Sequence, residues 1–482
     1  MTLAGLALAA PAEAATFNVT NLNDSGAGSL RQAVLDANAA AGADTITFQA
    51  GLTGTITLTS GQIDVTDSVD IQGPGAAALS VSGNNASRVF YLYAETELID
   101  VTISGLTITG GFADDGGGII DFDENLTLNV VVLTGNHATG ATGGGLWMSG
   151  SSFSATLRGS TISGNTSSLI AGGVYVGDTG GPLLFQRTTI TGNLAGQAGG
   201  VYFLHPDHEI TFEDSTISNN TSGGVGGGIY LDDAEGGAFT LSRTTISGNS
   251  SPTGGGAYFN QLGVPLIIED STISGNHAIQ RSGGGLFLDN LFNGSVIRSS
   301  TIANNTAVEG GGGIELENNE LTLVDTLVAD NSLVVVPPAG PPVGNDLGGV
   351  GLFNARYSLI ENPGSATIND NGGNLFHQDP QLGPLQNNGG LTETQRPAGT
   401  SPVINAGDPA FTPPPASDQR GFFLRVAAGR IDIGAVELQD GELPSASVPT
   451  LGALGKALLA SLLGAGGWLL MRRRRASPAA SP

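Results

Sequence analysis

Imidazoles and carboxylates crowd together at one place in the chain, His205-Pro206-Asp207-His208-Glu209. Two histidines three positions apart, with acids between them, could hold a divalent metal if the segment were helical or tightly turned. Pro206 opposes a helix, so a solvated loop between strands is the expected state. Adjacent aspartates occur at Asp114-Asp115 and Asp232-Asp233. On a strand such neighbours point to opposite faces, and spacing alone does not make them an acid/base pair. Arg158, Arg187, Arg243, Arg281 and Arg298 lie scattered without a strong acid cluster beside any of them, and Lys456 is the only lysine. Abstracting a proton beside a carboxylate requires a base held against organised partners. This distribution argues for binding rather than turnover.

The most informative surface is a column of aromatics. Six phrases, "GLWM", "GVYV", "GVYF", "GIYL", "GAYF" and "GLFL", each flank a ring with apolar residues. Strand alternation sends flankers and centre to opposite faces. With the flankers inward, Trp147, Tyr175, Tyr202, Tyr230, Tyr258 and Phe287 form an outward stripe, one ring about every 4.8 Å, that ends at Glu315. Two positions on, the same face carries Ser149, Gly177, Leu204, Asp232, Asn260, Asp289 and Glu317. Rings cover the apolar faces of pyranoses and acceptors take their hydroxyls, so this face suits a sugar chain, with Asp232 and Asp289 as acceptors. Alternatively the rings stack on one another and stiffen the sheet.

The elements that would position this column are internal repeats. "TISGN" at Thr161–Asn165 returns as "TITGN", "TISNN", "TISGN", "TISGN" and "TIANN", ending at Thr301–Asn305, every 27–29 residues. The Gly-rich phrase keeps the same period out of phase, from Gly143–Met148 to Gly283–Leu288. Repeats of this length mean a solenoid. Three apolar runs recur per repeat, for example Gly228–Leu231, Phe239–Leu241 and Thr245–Ile246. Runs this short must pair with the next coil, so the strands are parallel and the crossover rule favours right-handed winding. The expected fold is all-β: a single right-handed parallel β-helix with three short strands per coil. The recurring asparagine (Asn136, Asn165, Asn193, Asn220, Asn249, Asn276, Asn305, Asn331) is expected as a stacked structural ladder, since Asn tolerates a left-handed turn and bonds a copy of itself.

Composition agrees with a Gly-punctuated β architecture: 76 glycines among 482 residues, no cysteine and only 6% aromatics. A formal charge of −26 excludes nucleic acid and anionic lipid as partners for the body. It would draw calcium, without naming a site. Residues 1–15 read as a secretory signal, with the apolar run Leu3–Ala10 before Ala12-Glu13-Ala14. Residues 16–104 read as an N-terminal cap and first coils, the cap being a helix over Leu30–Ala40 with Ser29 and Gln32 as a capping box and Gly42 ending it. Its Leu30, Val34 and Ala37 share one face. Residues 105–331 are the central repeats, 332–438 the last coils, and 439–450 a linker. Residues 451–471 are apolar enough for a transmembrane helix, and 472–482 form a basic tail in which Arg472, Arg473, Arg474 and Arg475 hold the cytoplasmic side.

Three resemblances add to this reading. Val448-Pro449-Thr450-Leu451, one hydrophobic helix and the arginine cluster resemble the IPTL-CTERM class of bacterial sorting signals, which implies a sorting machinery as partner and a temporary or permanent single-span anchor. The Gly-rich and "TIxxN" phrases resemble polymorphic outer-membrane protein repeats, a surface-exposed, adhesive family, with Ile here in place of its Phe. "DPQLGPLQNNGGLTET", "SPVINAGD", "DQRG" and "RIDIGAVE" resemble the choice-of-anchor Q module of surface β-helix proteins. Within "DQRG", Asp418 and Arg420 are expected as a locking ion pair. The resemblances imply an exported cell-surface protein, adhesive or glycan-binding, that meets polysaccharide or a neighbouring cell. The alternatives are a polysaccharide lyase or glycoside hydrolase of the pectin-lyase-like fold and a structural spacer. Motifs of such hydrolases are missing apart from the Asp-Asp dipeptides.

Overall fold

In "TIS" the middle residue alone is large and apolar, and a strand that alternates faces has one way to bury it. The computed structural model, which describes residues 14–140, 142–334, 343–427 and 429–439, places Ile162, Ile190, Ile217, Ile246, Ile273 and Ile302 at 0% exposure. Each pairs in register with the isoleucine of the next coil, except the last, Ile302, which pairs with Val328. Repeating this rule for every phrase winds the chain into a right-handed parallel β-helix whose core is one continuous apolar column.

One coil shows the layout. Ile229–Ala234 belongs to the 11-stranded aromatic sheet and Phe239–Ser242 to the 14-stranded long sheet. Thr245–Ser247 belongs to the 13-stranded Thr-Ile sheet. The three expected runs are therefore all present. A fourth ladder joins them: two-residue strands such as Ser250–Ser251 form a 10-stranded short sheet after the asparagines. Two residues carry no readable periodicity, so the sequence offered no sign of it. Among the described residues the strands of the four sheets pair in parallel except the closing pair, Ser332–Leu333 with Val343–Gly344, and isolated antiparallel bridges such as Gln386 with Thr394 occur beyond the last coil.

The asparagine ladder is continuous. Asn136 accepts the Gly111 N–H at 2.9 Å, and each Asn Nδ2 donates to the next Asn Oδ1 at 2.9–3.1 Å through to Asn331. Each also donates backward to a carbonyl of the preceding Thr-Ile strand, for example Asn249 Nδ2 to Ile217 O at 2.9 Å. The ladder ends on buried Asp346, which accepts from Asn331 N and Nδ2 at 3.1 and 2.8 Å. The left-handed residue is the one before the ladder Asn rather than the Asn itself: Gly164, Asn219, Gly248 and Asn304 have φ of 62°, 55°, 64° and 61°. That is why the phrase reads Gly-Asn or Asn-Asn.

The helix Leu30–Ala39 lies over the first coil and buries Leu30, Ala33, Val34 and Ala37. Ser29 Oγ accepts from Gln32 N at 3.1 Å, but Gln32 does not complete a capping box, since its amide donates to Asp36 instead. The helix closes at Ala40, two residues before Gly42.

The last parallel strand is Leu375–Phe376, and beyond it the chain adds no coil. Residues 377–427 and 429–439 instead fold back along the outside of the Thr-Ile sheet. Where this return segment lies, outward threonines that are half-exposed in earlier coils (Thr161, Thr189, Thr216) become buried (Thr245, Thr272, Thr301). Thr245 Oγ1 donates to Glu393 O at 2.6 Å, Gln419 Nε2 donates to Thr245 Oγ1 at 2.9 Å, and Ala435 N donates to Thr301 Oγ1 at 3.0 Å. A second small core, Leu327, Ala329, Leu359, Val403 and Ile433, seals the far end. The Asp418–Arg420 pair forms at 2.7 Å with both side chains fully buried. It fixes the return segment on itself, with Arg420 also donating to Glu437 O at 2.6 Å, rather than joining coils.

Residues 1–13 and 440–482 lie outside the described residues, and with them the signal run, the Val448–Leu451 motif, the hydrophobic span and Arg472–Arg475. Among the described residues no helix is long and apolar enough to cross a membrane.

Candidate functional site: the aromatic face

The aromatic sheet brings all six sequence-predicted rings together. Trp147, Tyr175, Tyr202, Tyr230, Tyr258 and Phe287 are successive register partners, with Ile120 before them and Glu315 after. Their flankers, from Leu146 and Met148 to Leu286 and Leu288, are at 0% exposure, so the rings face outward. The Gly-rich phrase makes this close stacking of coils possible. A Cβ on Gly256 would sit 2.4 Å from Gly285 O, inside any van der Waals contact.

Outward does not mean open-faced. Trp147–Tyr175, Tyr175–Tyr202 and Tyr258–Phe287 are stacked, with centroids 6.0, 5.7 and 4.7 Å apart and planes within 14°. Those rings cover one another's faces, and Tyr202 and Phe287 are left only 5% and 8% exposed. Tyr230 breaks the stack, standing at 67° to Tyr202 and 90° to Tyr258. Phe122, 55% exposed, extends the stack onto Trp147 from the neighbouring row. It escaped notice because "IIDF" lacks the Gly-aromatic phrase.

The polar row lies beside the rings as expected and is partly spoken for. Asp232 accepts from Asn260 Nδ2 at 2.7 Å and from the Tyr202 hydroxyl at 3.5 Å, while Asp289 accepts from Asn318 Nδ2 at 3.1 Å. Burial first, then the Asp232 charge, pushes the Tyr202 and Tyr230 phenols well above the usual range. These hydroxyls stay protonated and act as donors. At the end of the column Glu315 is pushed up to about 7, chiefly by burial, against the hydrogen bond from Gly311 N that favours its charged form.

Next to the last two rings the face opens into a groove of about 410 Å³. Tyr258, Phe287 and Glu317 form its floor on the sheet side, and Gln280, Arg281 and Glu309 come from the turns between the short ladder and the aromatic sheet. Cross-coil bonds fix those turns: Arg281 N donates to Pro252 O and Val308 N to Arg281 O, both at 2.9 Å. The Arg281 side chain makes no ion pair among the described residues. Arg281 and Glu309 lie in turns that vary from repeat to repeat, where no periodic signal exists to single them out.

Elsewhere the expectation of arginines without acids beside them fails at Arg243, which pairs with Glu213 and with Asp214 at 2.7 Å, and at Arg298, which pairs with Glu269. His205 stands 3.7 Å from Asp178 and 3.6 Å from Asp233, all three well exposed. Among the described residues no group of three or more His, Asp or Glu is placed to hold a metal. Asp232 turns to Tyr202 and Asp233 to His205; Asp233, at φ 57°, interrupts the strand alternation, so both carboxylates reach the surface instead of opposite faces. Asp115 accepts from Thr142 N and Oγ1 at 2.9 and 2.8 Å, and Asp114 from Thr139 Oγ1 at 3.1 Å, so that pair ties turns together.

Residues 88–261 match the family model described as a right handed beta helix region. Among solved structures the chain is similar to the crystal structure of pectate lyase Pel9A, at 15% identity and a TM-score of 0.48, covering 88% of this chain and 96% of that one. No curated protein matches the chain. Fold geometry and family model agree on the right-handed parallel β-helix.

Proposed function

We propose that the protein is a non-enzymatic, exported β-helix that binds glycan on its aromatic face and so attaches to polysaccharide or to a neighbouring cell. The observation that carries this reading is the outward ring column opening, at Tyr258 and Phe287, into a groove with donors and acceptors on its walls. A pocket of a few hundred Å³ with aromatic floor and a few polar groups is the usual form of a small-ligand site. The address belongs to the same proposal. Residues 1–15 would direct export, Val448–Leu451 would engage a sorting machinery, and residues 451–471 with Arg472–Arg475 would hold the body outside the membrane.

Immobilised neutral and acidic polysaccharides, incubated with the full chain, test the reading. Retention without new reducing or unsaturated ends, reduced at least tenfold by Tyr258→Ser, is expected. New chain ends would replace it with a polysaccharide-cleaving enzyme. Absence of both retention and cleavage would leave a structural spacer.

A further inference from the structure

The groove beside Tyr258 and Phe287 is a recess of about 410 Å³ along the column, and its charges are unbalanced. Glu317 faces it from the sheet, and Glu309 and Arg281 from the turns, so two carboxylates meet one guanidinium. Glu315 lies two residues before Glu317, and Asp289 and Asp232 belong to the same row as Glu317 on the preceding coils. The field of these groups reaches the floor: the Tyr258 phenol is held above its usual range by burial first, then by Asp289, Asp232 and Glu317, with Arg281 opposing. The whole chain adds a formal charge of −26 behind it.

We infer that this groove is a subsite for uncharged, hydroxyl-rich sugar residues and excludes uronate chains, an inference that rests on the glycan-binding reading. The chemistry follows from the lining. Carboxylates of Glu309 and Glu317 accept hydroxyl hydrogens, Arg281 and Gln280 donate to ring and hydroxyl oxygens, and Tyr258, backed by the largely buried Phe287, meets the C–H face of a pyranose. A chain bearing a carboxylate on every residue could pair one of them with Arg281. Its remaining carboxylates would face Glu309, Glu317 and the acidic row, in partly screened solvent where like charges repel.

Titration calorimetry of the full-length protein decides between the two. The probes are cello-, xylo- and galacto-hexasaccharides against hexagalacturonate, at low and at raised salt. At least one neutral hexamer should bind, with hexagalacturonate at least tenfold weaker at low salt and the gap narrowing as salt is added. The double substitution Glu309→Gln, Glu317→Gln should narrow the low-salt gap about tenfold without changing the melting temperature, because all these side chains lie at the surface. Hexagalacturonate binding as tightly as any neutral hexamer, and losing that binding on Arg281→Gln, overturns the inference while leaving glycan binding in place. So does neutral binding that ignores the groove variants yet falls with Tyr202→Ser and Tyr230→Ser. If no hexamer binds at all, both readings fall together.

Discussion

Replacing Asn249 by alanine isolates what the asparagine ladder contributes to one coil. Its side chain donates to Ile217 O and Asn276 Oδ1 at 2.9 and 3.0 Å, and accepts from Asn220 N and Nδ2, both at 3.0 Å, at 0% exposure. Four buried hydrogen bonds at about 1 kcal/mol each, together with the Asn220 N–H left without that acceptor, come to about 4–6 kcal/mol. Because coils contact only their neighbours, the loss should stay local. Amide exchange followed by mass spectrometry reads it directly. Peptides over residues 216–222, 245–251 and 272–278 should exchange roughly a thousandfold faster or more, since each 1.4 kcal/mol is tenfold. Residues 107–113, several coils away, should be unchanged. Acceleration below tenfold at 216–222, or equal acceleration at 107–113, would refute the idea that the stacked amides hold each coil to the next.

Further outcomes follow from the same geometry. Gly256→Ala should cost about 3 kcal/mol, because its Cβ would meet Gly285 O at 2.4 Å. Gly254→Ala should cost less, about 1–2 kcal/mol, for a left-handed non-glycine whose Cβ meets Ala257 O at 2.8 Å, a fit that Ala171 and Ala198 already make at the equivalent position with φ 57° and 51°; thermal or denaturant unfolding of both variants ranks them. Under the return segment, Asp270 and Glu437 are pushed up to about 7 and Asp325 to about 6, each chiefly by burial. A carboxyl raised above its unfolded value contributes stability that is full below about pH 4 and is lost as pH rises through 6–7. Exchange protection of residues 377–439, corrected for intrinsic rates, should therefore fall between pH 5 and 8, and Asp270→Asn should flatten part of that fall. Asp346→Asn keeps an amide oxygen for Asn331 and removes a carboxyl pushed up to about 7 by burial, but it turns an NH2 on the Asn362 N–H that Asp346 Oδ2 accepts at 2.6 Å, so stability near pH 8 should fall by about 1 kcal/mol, where Asp346→Ala, which strips both partners of their acceptor, loses about 3 kcal/mol.

The parts of this fold that were legible in the sequence are those that repeat. Ile217, Ile246 and Ile273 announce buried strand centres because each returns in phase, and the rings from Trp147 to Phe287 announce a shared face by the same logic. The column's position was readable, but its ring planes were not, since stacking of Trp147 on Tyr175 against the turn of Tyr230 depends on rotamers and not on spacing. The short ladder at Ser250–Ser251 was hidden by its length. The return segment was hidden because its contacts, such as Gln419 with Thr245 and Asp408 N with Asp325 Oδ1 at 2.6 Å, join residues far apart in the chain without a period. Arg281 was visible only as one of five scattered arginines, and its meeting with Glu309 and Glu317 was hidden for a related reason: the groove is built from what differs between repeats.

The fold-back also governs how such a chain can change in size. Gln419, Ala435 and Asp408 meet Thr245, Thr301 and Asp325 on three different turns, like pins cut for one key. Duplicating or deleting a whole winding between Thr245 and Asp325 would shift those meeting points by a full step and unseat them. Among the described residues the windings ahead of Thr216 carry no such pins, so growth and shrinkage of this β-helix over generations should be confined to its amino-terminal half.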